Sequence, residues 1–290
     1  MGVGWLARDE RSPLESTKAA LRLLVHSNVF VSLSTTCVAV TTILLAGLPV
    51  EPLPLFVVFA ATMFVYTLNR FTDIEEDERN VPERAAFTRQ YGRPWLTLGV
   101  GMYLVAVGVA IVQGVRGAVF LLAPLIAIAV YSVLGIKRIL LVKNLVVGGC
   151  WGVIPLGVGV YYGVLFTVEI VFLFAFVAAM ITIDAAIFDV KDIEGDRAEG
   201  IRTVPNVFGL ETLQKGGALA TVGVAAAVVA GVAAAAIPTE FLVLLVLNAY
   251  VLAYIPFAAA DRGPLYYGFV VDGEYVFLAA VVLLLDYFAW

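Results

Sequence analysis

The chain has 290 residues, of which 62% are hydrophobic and only 14% charged, with a formal net charge of −5. A soluble domain carries roughly 45–50% apolar and about 25% charged residues, so lipid is the main solvent here, and the mean hydropathy of +0.98 agrees. The modest acidity does not point to nucleic acid, and a single histidine, His26, leaves almost no room for histidine metal sites or histidine triads.

In chain order, Met1 to Lys18 is polar and charged, without the apolar run of a cleavable leader. Windows of about 20 apolar residues mark spanning helices. They predict spans over 26–48, 52–70, 95–114, 117–136, 143–163, 166–188, 216–237, 240–259 and 270–290. Pro49, Pro52 and Pro54 break the first pair, and Pro238 parts the seventh span from the eighth. Cys37 and Cys150 lie far apart in apolar stretches and read as small packing residues. The glycines of the fifth span, Gly148, Gly149, Gly152, Gly157 and Gly159, read as a close-packing face, and Pro155 as a bend. Tyr161, Tyr162, Tyr287 and Trp290 fit an outer aromatic belt, Tyr91 and Trp95 an inner one.

Basic residues orient this map. With the N-terminus in the cytoplasm, 17 of the 18 Lys and Arg residues fall inside and only Arg116 outside, as the positive-inside rule requires. The expected fold is therefore all-α: a polytopic membrane protein of nine transmembrane helices, N-terminus cytoplasmic and C-terminus outside. It forms one domain over 1–290, with long cytoplasmic loops at about 71–94 and 189–215 acting as caps.

Each of those loops opens on an acidic motif. Asn69, Asp73 and Asp77 are spaced by four and four, so on a helix they drift by only about 40° per step. Asp189, Asp192 and Asp196 are spaced by three and four and stay within about 60° of arc. Like charges about 4 Å apart repel by roughly 4 kcal/mol at an effective dielectric near 20, so two such clusters at a membrane boundary call for a cationic occupant. Hard oxygen donors suit magnesium, which takes one or two carboxylates plus phosphate oxygens. Two opposed faces could hold two magnesium ions around a diphosphate. Lys137, Arg138, Lys143, Lys191, Arg197 and Arg202 lie on the same side and could bind the remaining phosphate charge. Glu75, Glu76, Glu78, Glu194 and Glu199 read instead as ordinary solvated charges. Asp184, inside the sixth span, is left between a pocket role and a supporting one.

These motifs resemble the UbiA superfamily of intramembrane prenyltransferases along essentially the whole chain. The N-x-x-x-D-x-x-x-D pattern at Asn69, Asp73 and Asp77 and the D-x-x-D-x-x-G-D-R-x-x-G-x-R-T-x-P run from Asp189 to Pro205 carry the likeness. Tyr131-Ser132, Lys137-Arg138, Asn144, Gly148-Gly149 and Pro155 are similar to that family's segment joining the fourth and fifth helices. The resemblance implies magnesium held by Asp73, Asp77, Asp189, Asp192 and Asp196, with Asn69 orienting the cluster or touching a metal. It implies ionisation of a prenyl diphosphate to an allylic-cation-like species and capture by a lipophilic acceptor. Arg22 falls where the family often places an arginine, and Tyr66 or Tyr131 would face the cation through its ring. Its partners would be membrane lipid and these two substrates, with no nucleic acid and no obligate protein partner, in the cytoplasmic membrane with the site facing the cytoplasm.

Two departures leave the acceptor unassigned: Arg70 replaces the Asp that commonly follows the leading Asn, and the stretch from Asn80 to Thr88 lacks the usual Arg-Pro-x-Pro-Ser-Gly segment. The rival readings are an ion- or proton-coupled transporter, an enzyme joining a nucleotide-linked headgroup to an alcohol, and a non-catalytic scaffold. Transporters place their acids near the midplane, whereas these sit at helix ends. The second rival's D-x-x-D-G-x-x-A-R signature is absent.

Overall fold

Prolines and left-handed residues punctuate a run of described residues that is otherwise helical. The computed structural model describes residues 13–115, 117–122, 139–198, 200–263 and 265–288. Among them there is no strand. The helices are α1 (Pro13–His26), α2 (Val29–Leu45), α3 (Pro52–Thr72), α4 (Ile74–Asn80), α5 (Pro82–Val112), α6 (Val142–Tyr162), α7 (Val168–Phe188), α8 (Ile193–Ala198), α9 (Val204–Phe208), α10 (Leu210–Ala233), α11 (Leu244–Tyr254) and α12 (Glu274–Phe288). Pro52 and Pro82 start α3 and α5, where a missing N–H costs nothing. Gly163, at φ +74°, closes α6.

Seven helical segments among the described residues are long and apolar enough to cross a membrane, or eight if α1 and α2 form one broken span, bent by 68°. The bend occurs at Asn28, a left-handed residue at φ +62°. Asparagine tolerates that conformation, and its side chain is tied to α3: Nδ2 donates to Thr67 Oγ1 at 3.3 Å, and Oδ1 accepts from Arg70 Nε at 3.4 Å. The first expected span is thus a helix preceded by a separate, angled one. Most of the fourth expected span, 123–136, lies outside the described residues.

The expected loops at 71–94 and 189–215 are largely helical, as α4 with the first turns of α5, and as α8, α9 and the start of α10. Hydropathy windows register only the lipid-facing length. Glu and Arg are good helix formers, so the helices run on past the apolar boundary. The last expected span is interrupted: Tyr266–Val271 winds as a π-helix and Asp272–Gly273 form a turn before α12.

Helix α7 is the hub. Half of its apolar window is buried, the largest share of any span, and Leu173, Met180 and Ile187 pack with Leu244, Leu247, Val251, Tyr275 and Leu278. Its contact with α6 depends on glycine, because a Cβ on Gly148 would collide with Thr182 Oγ1 and the Ala178 carbonyl. Gly149 and Gly157 meet nothing within 4 Å, so only part of the expected glycine face is used for packing. The expected outer tyrosines do anchor a connection: Tyr161 donates to Glu51 and Tyr162 to the Pro49 carbonyl, both at 2.6 Å.

Candidate active site

Helix α3 does not stop at its motif. The amide of Asp73 donates to Asn69 O, that of Asp77 to Asp73 O and that of Val81 to Asp77 O, at 2.9, 2.9 and 2.8 Å. This run of four-residue hydrogen bonds through the α3–α4 joint holds the three motif side chains on one face, the arrangement their spacing predicts. Asp77 is 3% exposed. Arg84, from α5, grips both its carboxylate oxygens, with Nε 2.9 Å from Oδ2, and Arg70 Nη1 stands 3.9 Å away. Asn69 and Asp73 are half-buried.

The second motif begins where α7 tightens into a 3-10 turn, Asp189–Asp192, and continues into α8. Asp189 is 2% exposed. The first turn of α6 supplies both its partners: Lys143 Nζ at 2.6 Å from Oδ1 and Asn144 Nδ2 at 3.0 Å from Oδ2. Lys191 Nζ lies 2.5 Å from Asp192 Oδ2, and Asp196 is 3% exposed. Beyond it, Gly200 turns the chain at φ +70°, and Asn206 bonds the Thr203 amide and the Ile201 carbonyl at 3.0 and 2.7 Å, fixing the end of the motif.

The short helices that carry the two motifs meet. Gly195 of α8 lies against the Asn80 side chain of α4 so closely that a Cβ there would collide with Asn80 Oδ1. Asp272, in the turn before α12, has Arg70 of α3, Arg84 of α5, Lys191 of the 3-10 turn and Asp184 of α7 as electrostatic neighbours. Asp272 was not singled out from the sequence. Its only signals there are an ionisable residue inside an apolar run and the Gly273 that follows it.

The other expected residues are dispersed. Arg22 is exposed on α1 and pairs with Glu83 at 3.3 Å. Arg197 and Arg202 are exposed. Tyr66 accepts from Trp151 Nε1 at 3.1 Å within the core. Tyr131, Lys137 and Arg138 lie outside the described residues. Asp184 is buried with Tyr254 and Glu274 rather than with the motifs.

Among the described residues no group of three or more Asp, Glu, His or Cys side chains converges on one metal position; basic side chains contact Asp77, Asp189 and Asp192 instead. The donor set nonetheless fits magnesium, being entirely carboxylate and amide oxygen. One atom in it is orphaned: Asp192 Oδ1 is buried with no hydrogen-bond partner among the described residues.

The described residues thus form an all-helical membrane protein whose two acidic motifs lie on touching helices, each backed by Arg or Lys. More narrowly, the chain belongs to the UbiA prenyltransferase family, whose model matches residues 32–286. It is similar to a digeranylgeranylglyceryl phosphate synthase of Thermococcus sibiricus, 28% identical over 171 residues, or 57% of this chain and 59% of that one. The chain thus spans less than two thirds of the length of that curated relative. A solved structure from work on digeranylgeranylglyceryl phosphate synthase in membranes shares the fold at a TM-score of 0.57 and 15% identity, over 93% of this chain and 97% of the other. Family membership leaves the transporter alternative without support.

Proposed function

We propose that this protein is a magnesium-dependent prenyltransferase that moves an isoprenyl group from a prenyl diphosphate to a lipophilic acceptor inside the membrane. The observation that carries this reading is the Asn80–Gly195 contact, which brings α4 and α8, and with them both acidic motifs, together. Asp73, Asp77, Asp189, Asp192 and Asp196 would hold the metal as two ions, with Asn69 beside them. Bound there, magnesium supplies Lewis-acid stabilisation of the departing diphosphate.

The chain's own residues do the rest. Lys143, Lys191, Arg70 and Arg84, which neutralise the acids in this state, are placed to turn towards phosphate oxygens when the diphosphate arrives. Their charge then favours the leaving group over the intact ester, which is where binding energy lowers a barrier. Tyr66, Trp151 and Tyr275 form a connected aromatic group in the core, and a prenyl chain lying against such a surface would be kept from the water that quenches an allylic cation. A site within the bilayer suits a reaction whose donor tail and acceptor are both lipids.

The first acceptor to test follows from the similar Thermococcus sibiricus protein, named as a synthase of digeranylgeranylglyceryl phosphate. The basic-residue count argues that the site faces the cytoplasm, with N-terminus inside and C-terminus outside the cell membrane. The test is turnover of labelled geranylgeranyl diphosphate by the purified protein, read by mass spectrometry. The acceptor panel contains geranylgeranylglyceryl phosphate, 4-hydroxybenzoate and lycopene. Magnesium-dependent transfer to one of them is expected. No transfer and no diphosphate release would sink the reading.

A further inference from the structure

Asp184, Tyr254 and Glu274 form a second polar cluster that the diphosphate site does not use. They come from three elements, α7, α11 and α12, and Asp184 and Glu274 are 4% and 1% exposed. The two carboxyl groups share the Tyr254 hydroxyl as a hydrogen-bond partner. Tyr254 Oη donates to Asp184 Oδ1 and stands 3.3 Å from Glu274 Oε2. Like charges this close repel too strongly away from water for both to stay ionised, so the pair holds one proton and one charge.

Three further polar atoms face the cluster or belong to it. Asp184 Oδ2, Glu274 Oε1 and Tyr275 Oη are buried without a hydrogen-bond partner among the described residues. Tyr275 is 1% exposed, and its nearest charges are Glu274 and Asp184. A phenol and two carboxyl oxygens left bare in a protein core call for a polar ligand. Tyr254 also lines a cavity of about 310 Å³ shared with Tyr250, Phe257 and Tyr266, with Arg262 among its walls.

Position ties this cluster to the reaction. Asp184 precedes Asp189 by five residues, which places it about 7.5 Å deeper along the helix axis. Asp272 links the two regions, since its electrostatic neighbours include Asp184 on one side and Lys191, Arg70 and Arg84 on the other. Tyr250 is the remaining titratable group facing Glu274.

We propose that the Asp184–Glu274 pair, steered by Tyr254, is the proton acceptor of the transfer reaction. The inference rests on the prenyl-transfer reading. In the step, the bond between the first prenyl carbon and the diphosphate oxygen breaks, and its electron pair leaves with diphosphate. A bond forms between that carbon and the acceptor's nucleophilic carbon or oxygen. The hydrogen which that atom loses passes as a proton to the ionised member of the pair. The substrates this selects are acceptors with an exchangeable O–H or an acidic C–H at the point of attachment.

The experiment compares wild type with Asp184→Asn, Glu274→Gln and Tyr254→Phe, each with magnesium, geranylgeranyl diphosphate and the acceptor that wild type uses. Transfer by the first two variants is expected to fall about 10²-fold or more, the usual span for a lost general base. Their affinity for geranylgeranyl diphosphate should stay within about threefold of wild type, a binding readout that also shows they are folded. The acidic limb of the wild-type pH–rate profile should be missing from both. Tyr254→Phe should keep that limb but lose rate, because it only steers the pair. Transfer within about threefold of wild type in the Asn and Gln variants overturns the proposal. So does a loss of binding that keeps step with the loss of transfer. If wild type itself transfers to no acceptor, the prenyl-transfer reading fails first and this inference falls with it.

Discussion

Lys143 Nζ stands 2.6 Å from Asp189 Oδ1, joining the first turn of α6 to the end of α7. Asp189 is almost wholly buried, so removing the ammonium leaves a carboxylate whose hydrogen-bond partner among the described residues is the Asn144 amide. Breaking a buried pair by deleting one partner costs about 3–5 kcal/mol. Lys143→Ala should therefore unfold at markedly lower temperature in detergent, followed by intrinsic fluorescence. Prenyl diphosphate binding should weaken more than acceptor binding, measured by competition with each ligand. Equal weakening of both would remove Lys143 from the diphosphate site.

Gly195 tests the meeting of the two motifs. A methyl group there has to displace Asn80, and overpacking of this kind costs about 1–3 kcal/mol. Gly195→Ala should lose both stability and turnover. Asn80→Ala alone should be mild, and the double variant should recover a large part of both losses. Additive losses across that cycle would show that the two side chains do not share a contact in the working protein.

The motif carboxylates should fail differently. Asp73→Asn and Asp192→Asn keep shape and remove charge, so thermal stability should stay close to wild type. Diphosphate release should drop by about 10²-fold or more, the scale on which a lost electrostatic group slows a polar reaction. Released diphosphate can be followed with a coupled phosphate assay. Unchanged turnover in both variants would refute the two-motif mechanism.

Metal removal gives the fourth expectation. Treatment with EDTA should stop turnover, and added magnesium should restore it. In the presence of geranylgeranyl diphosphate, magnesium at ten times its dissociation constant should stabilise the fold by about 1.4 kcal/mol, visible as a rise in unfolding temperature. An EDTA-treated protein that still turns over at the wild-type rate would rule out a metal role.

The spacing of Asn69, Asp73 and Asp77 carried its own geometry, because a helix that continues through Asp73 must keep every fourth residue on one side. The apolar windows likewise placed α3, α6, α7 and α11 to within a few residues, since lipid exposure over a fixed thickness leaves a one-dimensional trace. Asp189 with Asn144, and Asp77 with Arg84, left no such trace: the first pair lies 45 residues apart, and the second joins two helices where loops were expected.

What the amino-acid sequence determined by itself was the solvent, the helical class and the two acid faces, all set by local composition and period. Tertiary structure alone decided that Asn80 touches Gly195, that basic side chains neutralise the buried acids, and that a break in the last span brings Asp272 and Glu274 to Asp184. Those are contacts between distant segments, and their energies depend on which helices pack together rather than on any spacing along one of them.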